Sequence, residues 1–122
     1  MKKQLTKVAV LGASEREATI VRYALEQIGK VQCQVEPDVA KGLAMIQTFQ
    51  PEMVILDFNG NAAACKELLP HLKGMVVVVL GAFTEAELGE LRQLGVQGSI
   101  PKPIDLLTFA SLVIGQYSLK LP

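Results

Sequence analysis

Residues Met75 to Gly95 read MVVVVLGAFTEAELGELRQLG, a strand and a helix placed back to back. Met75-Val-Val-Val-Val-Leu80 is apolar throughout and mostly β-branched, which is the composition of a strand buried on both faces. Gly81 ends it. Thr84 stands three residues before Glu87, the spacing of a capping box, and Leu88, Leu91 and Leu94 recur behind it at helical spacing. Gly95 stops the helix.

The same unit recurs on both sides. Val8-Ala-Val-Leu11 is a short apolar run closed by Gly12, and a helix follows over Glu15–Ile28 with Ser14 as N-cap, Glu17 at capping-box spacing and Gly29 at its C-terminal end. Val31, Cys33 and Val35 alternate with polar residues, as in a strand covered on one face near a sheet edge. Pro37 and Asp38 open a helix carrying Val39, Leu43, Ile46 and Phe49, closed before Pro51. Met53-Val-Ile-Leu56 ends in Asp57; a loop with Asn59, Gly60 and Asn61 leads into a helix over 62–73 that Pro70 interrupts. Downstream, Gly98 to Ile100 form a brief strand and Asp105 to Tyr117 the last helix. Five strand-then-helix units with buried strands predict an α/β domain with a parallel sheet and helices on both faces.

With 122 residues, half of them apolar, the chain buries about two-thirds of its surface, enough for one core. A single domain over 1–122 is expected, with its core at about 7–117. Twelve basic and twelve acidic side chains cancel, so no global field draws in nucleic acid or an anionic membrane. The longest apolar run has six residues, against about 20 for a spanning helix. Lys2 and Lys3 precede no apolar stretch of signal-peptide length, so a cytoplasmic location is expected. Cys33, Cys65 and the single histidine, His71, have no metal-ligand spacing; they read as two reduced thiols and a solvated helix-end histidine.

In parallel sheets of this kind chemistry gathers beyond the carboxyl ends of the strands. That edge holds Gly12 to Glu15, Asp57 to Gly60, Gly81 to Thr84, and Pro101 to Pro103. Asp57 is one of only three aspartates and directly follows four apolar residues, so its carboxylate is partly desolvated and needs a partner. Lys102, between Pro101 and Pro103, is the candidate. Spacing alone leaves a second reading open, in which Asp57 caps its own loop through backbone amides and Lys102 is solvated.

The order of elements, Leu56-Asp57 closing the third strand, Lys102-Pro103 after the fifth, and Gly95 and Gly98 ahead of that strand resemble the receiver domain of bacterial two-component response regulators. The likeness runs from about Lys7 to Tyr117. It implies a flavodoxin-like (βα)5 three-layer sandwich, strand order 2-1-3-4-5. It also implies that Asp57 holds the position that accepts a phosphoryl group from a histidine kinase, and that Lys102 holds the position that contacts the phosphoryl oxygens, in a Lys-Pro pair often joined by a cis peptide.

The departures are as informative. The adjacent acids that hold magnesium in the family fall on Gly12 and Ala13. Magnesium requires octahedral oxygen ligands, and Asp57 alone supplies too few. The hydroxyl that follows the fourth strand falls on Gly81, and the aromatic switch residue of the fifth strand on Ser99. The proline and glycine after the acceptor fall on Asn61 and Cys65. These losses point to a degenerate receiver, or pseudo-receiver. In that reading it is a regulatory module and not an enzyme, it takes no cofactor, Asp57 pairs directly with Lys102, and signalling runs through protein–protein contact.

In the family the contact surface comprises the fourth helix, fifth strand and fifth helix, here about 85–119. Leu106, Leu107, Phe109, Val113, Ile114 and Tyr117 exceed what one helix stripe needs, which is explained either by a broad core face or by a partner or dimer surface. Two rival functions remain open at this stage. One is a receiver phosphorylated at Asp57 by a histidine kinase, with magnesium in an atypical site made from Asp57, Asn59 and Glu15; the phosphoryl transfer would then be autocatalytic at most. The other is a small-ligand binder, since Gly12-Ala-Ser14 after a strand is superficially like a phosphate-binding turn, although Glu15, Arg16 and Glu17 replace the later glycines of a dinucleotide motif.

Overall fold

The computed structural model describes residues 3–117. Five parallel strands alternate with five helices: β1 (Lys7–Leu11), α1 (Glu15–Ile28), β2 (Gln32–Glu36), α2 (Gly42–Phe49), β3 (Met53–Asp57), α3 (Ala62–Leu68), β4 (Val76–Leu80), α4 (Glu85–Gln93), β5 (Val96–Ile100) and α5 (Leu106–Gln116). The sheet order is β2-β1-β3-β4-β5, and every pairing is parallel. This is the flavodoxin-like arrangement expected from the sequence.

Alternation along the strands sorts the core into two layers. On one face Val8, Val10, Ile55, Val78 and Leu80 pack with Val21 and Leu25 of α1 and Phe109, Val113 and Tyr117 at α5. On the other, Ala9, Leu11, Val54, Leu56, Val77 and Val79 pack with Ile46, Phe49, Leu68 and Leu91 from α2, α3 and α4. All five residues of β3 are buried, because both of its edges are paired and both of its faces covered. At the sheet edge β2 alternates between exposed and half-buried positions.

Several local outcomes differ from the sequence reading. The helix after Asn61 stops at Leu68 and tightens into a 3-10 turn over Leu69–Leu72. Pro70 lacks the N–H that would continue an α-helix to Lys73. The second helix is likewise preceded by a 3-10 turn, Val39–Lys41, whose Ala40 N–H donates to Asp38. β5 is longer than the three residues expected, because it pairs with β4 from Val96 onward across an irregularity between Val77 and Val78. Gly29 sits at the α1 C-cap in extended backbone, so its left-handed freedom is not used. At the other end of α1 the Ser14 hydroxyl accepts from the Glu17 N–H at 3.2 Å, but the Glu17 carboxylate returns to that hydroxyl at 3.0 Å rather than to the backbone. Among the described residues, the full reciprocal box is formed by Thr84 and Glu87.

α5 divides cleanly. Phe109, Val113 and Tyr117 are core, while Leu106, Leu107 and Ile114 are exposed. The expected contact surface, 85–119, is described as far as Tyr117; Ser118 and Leu119 lie outside the described residues. Among the described residues, no helix is long and apolar enough to cross a membrane.

Candidate functional site

β3 delivers Asp57 to the carboxyl edge of the sheet, opposite Leu80 of β4. Its side chain is 3% exposed, and each carboxylate oxygen has a partner. The Asn59 N–H donates to Oδ1 at 2.9 Å, and the Lys102 ammonium donates to Oδ2 at 2.6 Å. The two readings of Asp57 left open by the sequence therefore coexist: it caps its own loop with one oxygen and pairs with Lys102 through the other. Lys102 reaches in from the loop after β5, where it precedes a cis Lys102–Pro103 peptide.

The ammonium has a second carboxylate. Glu17, in the first turn of α1, lies with Oε2 3.0 Å from Lys102 Nζ and Oε1 at 3.3 Å. One cation thus stands between two anions that come from elements far apart in sequence. Partial burial disfavours the charged form of Lys102, but hydrogen bonds to Asp57 and Glu17, together with their charges, outweigh it and raise its pKa. Partial burial likewise works against ionised Glu17, and the hydrogen bonds from Lys102 and Ser14 and the charge of Lys102 hold its carboxyl below the ordinary range. Burial, and then the charge of Asp57, pushes the neighbouring Cys65 thiol up to about 12. Cys65 is a fully buried thiol against the Asp57 carbonyl, 3.5 Å away.

Glu15 and Glu17 both stand close after Gly12 and Ala13, at the start of a helix from which they would have to fold back toward Asp57; the sequence favours Glu15 and reads Glu17 as part of a cap, whereas the structure brings in Glu17. Glu15, the acid expected to approach Asp57, is exposed at the start of α1. Asn59 contributes its backbone N–H to Asp57, and its residue is exposed.

The positions at which the family's acids are expected are closed. Gly12 has φ +79°, and a Cβ there would stand 2.7 Å from Val39 Cγ2, 3.0 Å from Asn61 Nδ2 and 3.2 Å from the Asp57 carbonyl. The Asn61 amide occupies that space, 3.4 Å from the carbonyl oxygens of both Gly12 and Asp57. Ala13 is buried and apolar. Among the described residues, no three His, Cys, Asp or Glu side chains group as metal ligands. The donor set does not fit a magnesium ion: it has one buried carboxylate with both oxygens engaged, one further carboxylate, and an ammonium between them.

Beside Lys102 a groove of about 510 Å³ opens between the β3–α3 and β4–α4 loops, lined by Phe58, Phe83, Leu91, Lys66 and Glu90. The Phe83 ring meets Phe58 edge-on, with centroids 5.6 Å apart. A Cβ on Gly81 would stand 3.2 Å from Phe83 Cζ. At Gly81, where the resemblance already marks the family's hydroxyl as lost, there is bare backbone with an aromatic ring over it. Lys66 and Glu90 form a 3.6 Å pair on the rim, with both side chains about half exposed, so it contributes little. His71 is exposed in the turn after α3.

No family model and no curated protein matches the sequence. Solved structures do. The signal receiver domain of a DNA-binding response regulator from Colwellia psychrerythraea superposes with a TM-score of 0.80 at 14% identity, covering 90% of this chain and 96% of that one. The chemotaxis protein CheY4 of Vibrio cholerae gives 0.78 at 18% identity over 92% and 98%. A response regulator from Thermotoga maritima gives 0.77 at 17% identity over 91% and 96%. At these identities the likeness is one of fold. The chain therefore has the flavodoxin-like fold of response-regulator receiver domains, over nearly the full length of those domains.

Proposed function

We propose that this chain is a degenerate receiver, a cytoplasmic signalling module that acts through protein–protein contact and does not use magnesium-dependent phosphorylation. The observation that carries this reading is the donor set itself: the one buried carboxylate, Asp57, has both oxygens engaged, one of them by the Lys102 ammonium at 2.6 Å, and that ammonium also pairs with Glu17 at 3.0 Å. The filled space at Gly12 and the missing hydroxyl at Gly81 support it. In this reading Asp57 is a structural anchor rather than a phosphoacceptor, and the pair fixes the carboxyl edge in one arrangement. The contact surface runs over α4, β5 and α5, where Leu94, Leu106 and Leu107 are exposed large apolar side chains. A protein partner or a second copy would cover such residues.

An amide NMR titration tests the reading, first with magnesium and then with magnesium and beryllofluoride, which mimics an acyl phosphate on aspartate. Spectra unchanged around Asp57, Gly81 and Lys102 are expected. Saturable shifts centred on Asp57 would overturn it and make the protein a phosphoacceptor for a histidine kinase with an atypical metal site. Mass by light scattering, with and without Leu107→Ser, reports whether the partner is a second copy.

A further inference from the structure

We propose that Glu17 is a relay by which the charge state of Asp57 reaches the first turn of α1. One ammonium is divided between the two acids: it donates to Oδ2 of Asp57 at 2.6 Å and to Oε1 of Glu17 at 3.3 Å, and it is ion-paired with Oε2 of Glu17 at 3.0 Å. An event that takes the Asp57 carboxylate from Lys102, whether by neutralising it or by a partner's cation competing for Oδ2, releases the ammonium to Glu17. Glu17 is itself bound to the Ser14 hydroxyl through both its carboxylate and its N–H. Ser14 follows Gly12 and Ala13 directly out of β1, so the pull acts on the turn that sets where α1 begins.

Of the other exits from Asp57, the Asn59 N–H bond stays within its own β3–α3 loop, and those through β4 and β5 are closed. Gly81 has no hydroxyl to follow a change at Asp57, and the Phe83 ring covers it. Ser99, half-buried in β5, has no ring to turn in or out. What remains is the path through Lys102, which leads to α1 on the face shared with α5. The groups facing Glu17 are the Ser14 hydroxyl on its own turn, the Lys102 ammonium from the β5–α5 loop, and Asp57 of β3 across that ammonium. Glu15 and Arg16 flank it in sequence and are exposed.

The relay is independent of whether Asp57 is ever phosphorylated, so the test adds neither metal nor phosphoryl donor. Carbon-detected NMR on the full chain reads the titration of the Glu17 carboxyl in the wild type, in Asp57→Asn and in Lys102→Met. Asp57→Asn keeps the shape and the acceptor for Asn59 but deletes a negative charge. The Glu17 midpoint should therefore fall by at least about 0.3 pH unit, a twofold change in proton affinity, with amide shifts at Ser14 to Ala18. Lys102→Met should raise it. Coupling is reciprocal, so Glu17→Gln must shift the Asp57 carboxyl carbon and the Asn59 amide; this arm serves if either of the other variants fails to fold. A Glu17 midpoint unmoved by Asp57→Asn, with shifts confined to residues 56–61 and 102, would overturn the proposal.

Discussion

The Phe83 ring lies over Gly81, with Cζ and Cε2 3.2 and 3.3 Å from where a Cβ would stand. A side chain at residue 81 would therefore press on Phe83, which would have to give by a few tenths of an ångström, and the φ of +146° at Gly81 disfavours any L side chain. Gly81→Thr, which would supply the hydroxyl expected after the fourth strand, should cost about 1–3 kcal/mol. Phe83→Ala in the same chain should recover part of that cost by removing the clash while leaving the backbone strain. A double-mutant cycle in urea should give a coupling of at least about 0.5 kcal/mol; additive costs would mean that the ring moves aside freely.

Gly12→Asp would place an acid at one of the two positions where magnesium ligands are expected. The new Cβ would fall 2.7 Å from Val39 and 3.0 Å from Asn61, on a backbone at φ +79°. The substitution should destabilise the domain by about 2 kcal/mol or more, and thermal unfolding with and without magnesium should show no recovery by the ion. A magnesium-dependent rise in Tm would show that the Asn61 amide yields to a ligand.

Asp57→Asn removes the charge from a side chain that is 3% exposed while keeping its shape. A loss of about 1–3 kcal/mol is expected in chemical denaturation. Lys102→Met should cost more, because it leaves the buried carboxylate with no countercharge. Equal stability of wild type and Asp57→Asn would mean that the pair does not hold the edge.

The same cluster sets a pH window. Glu17 is held below the ordinary carboxyl range when folded, so its contribution is present above about pH 4.3 and disappears as the pH falls through the lowered value. Lys102 is raised, so its contribution is present below about pH 10.4 and disappears as the pH rises through the higher value. Urea midpoints should be flat between these limits as far as this cluster is concerned, and Glu17→Gln should flatten the acid limb. Asp105 and Glu87 are also held low by hydrogen bonds at their helix caps, so some acid sensitivity remains in that variant. An acid limb identical in wild type and Glu17→Gln would contradict this assignment.

The layered sheet was legible because its strands advertise themselves. Val8 to Leu11, Met53 to Leu56 and Met75 to Leu80 are continuous apolar runs, each stopped by a glycine or an acid, and such runs have few alternatives to a doubly covered parallel strand. Helix ends were legible where the cap is local, as at Thr84 and Ser14. Features set by contacts distant in sequence were harder to read. Nothing in Val96-Gln97 signals a strand until β4 is there to pair with it. Gly29 has the position of a helix-ending glycine but not its conformation. Asp57 and Lys102 could be nominated by position on the edge, because topology alone brings strand ends together. Glu17 could be placed near Asp57 beside Glu15 but not preferred to it, because the Ser14 cap already gave it a local role, and only the folded chain shows that one carboxylate serves both the cap and Lys102. The closure of the Gly12 space by Val39 and Asn61 depends on three separate loops and has no sequence signature.

The placement of β1 between β2 and β3 also bears on how the protein emerges during synthesis. When the first fifty residues have left the ribosome, β1 can pair with β2, yet its other edge waits for Met53 to Leu56. The apolar residues Val8 to Leu11, fully buried in the finished domain, are then still open to water on the β3 side. β3 in turn needs β4, so no early fragment can bury its own strands. β4 needs β5 and one core layer needs Phe109, Val113 and Tyr117, so the nascent chain should stay exposed to holding chaperones until about residue 117 has emerged and then fold in one cooperative step, as expected where pairings are distant in sequence.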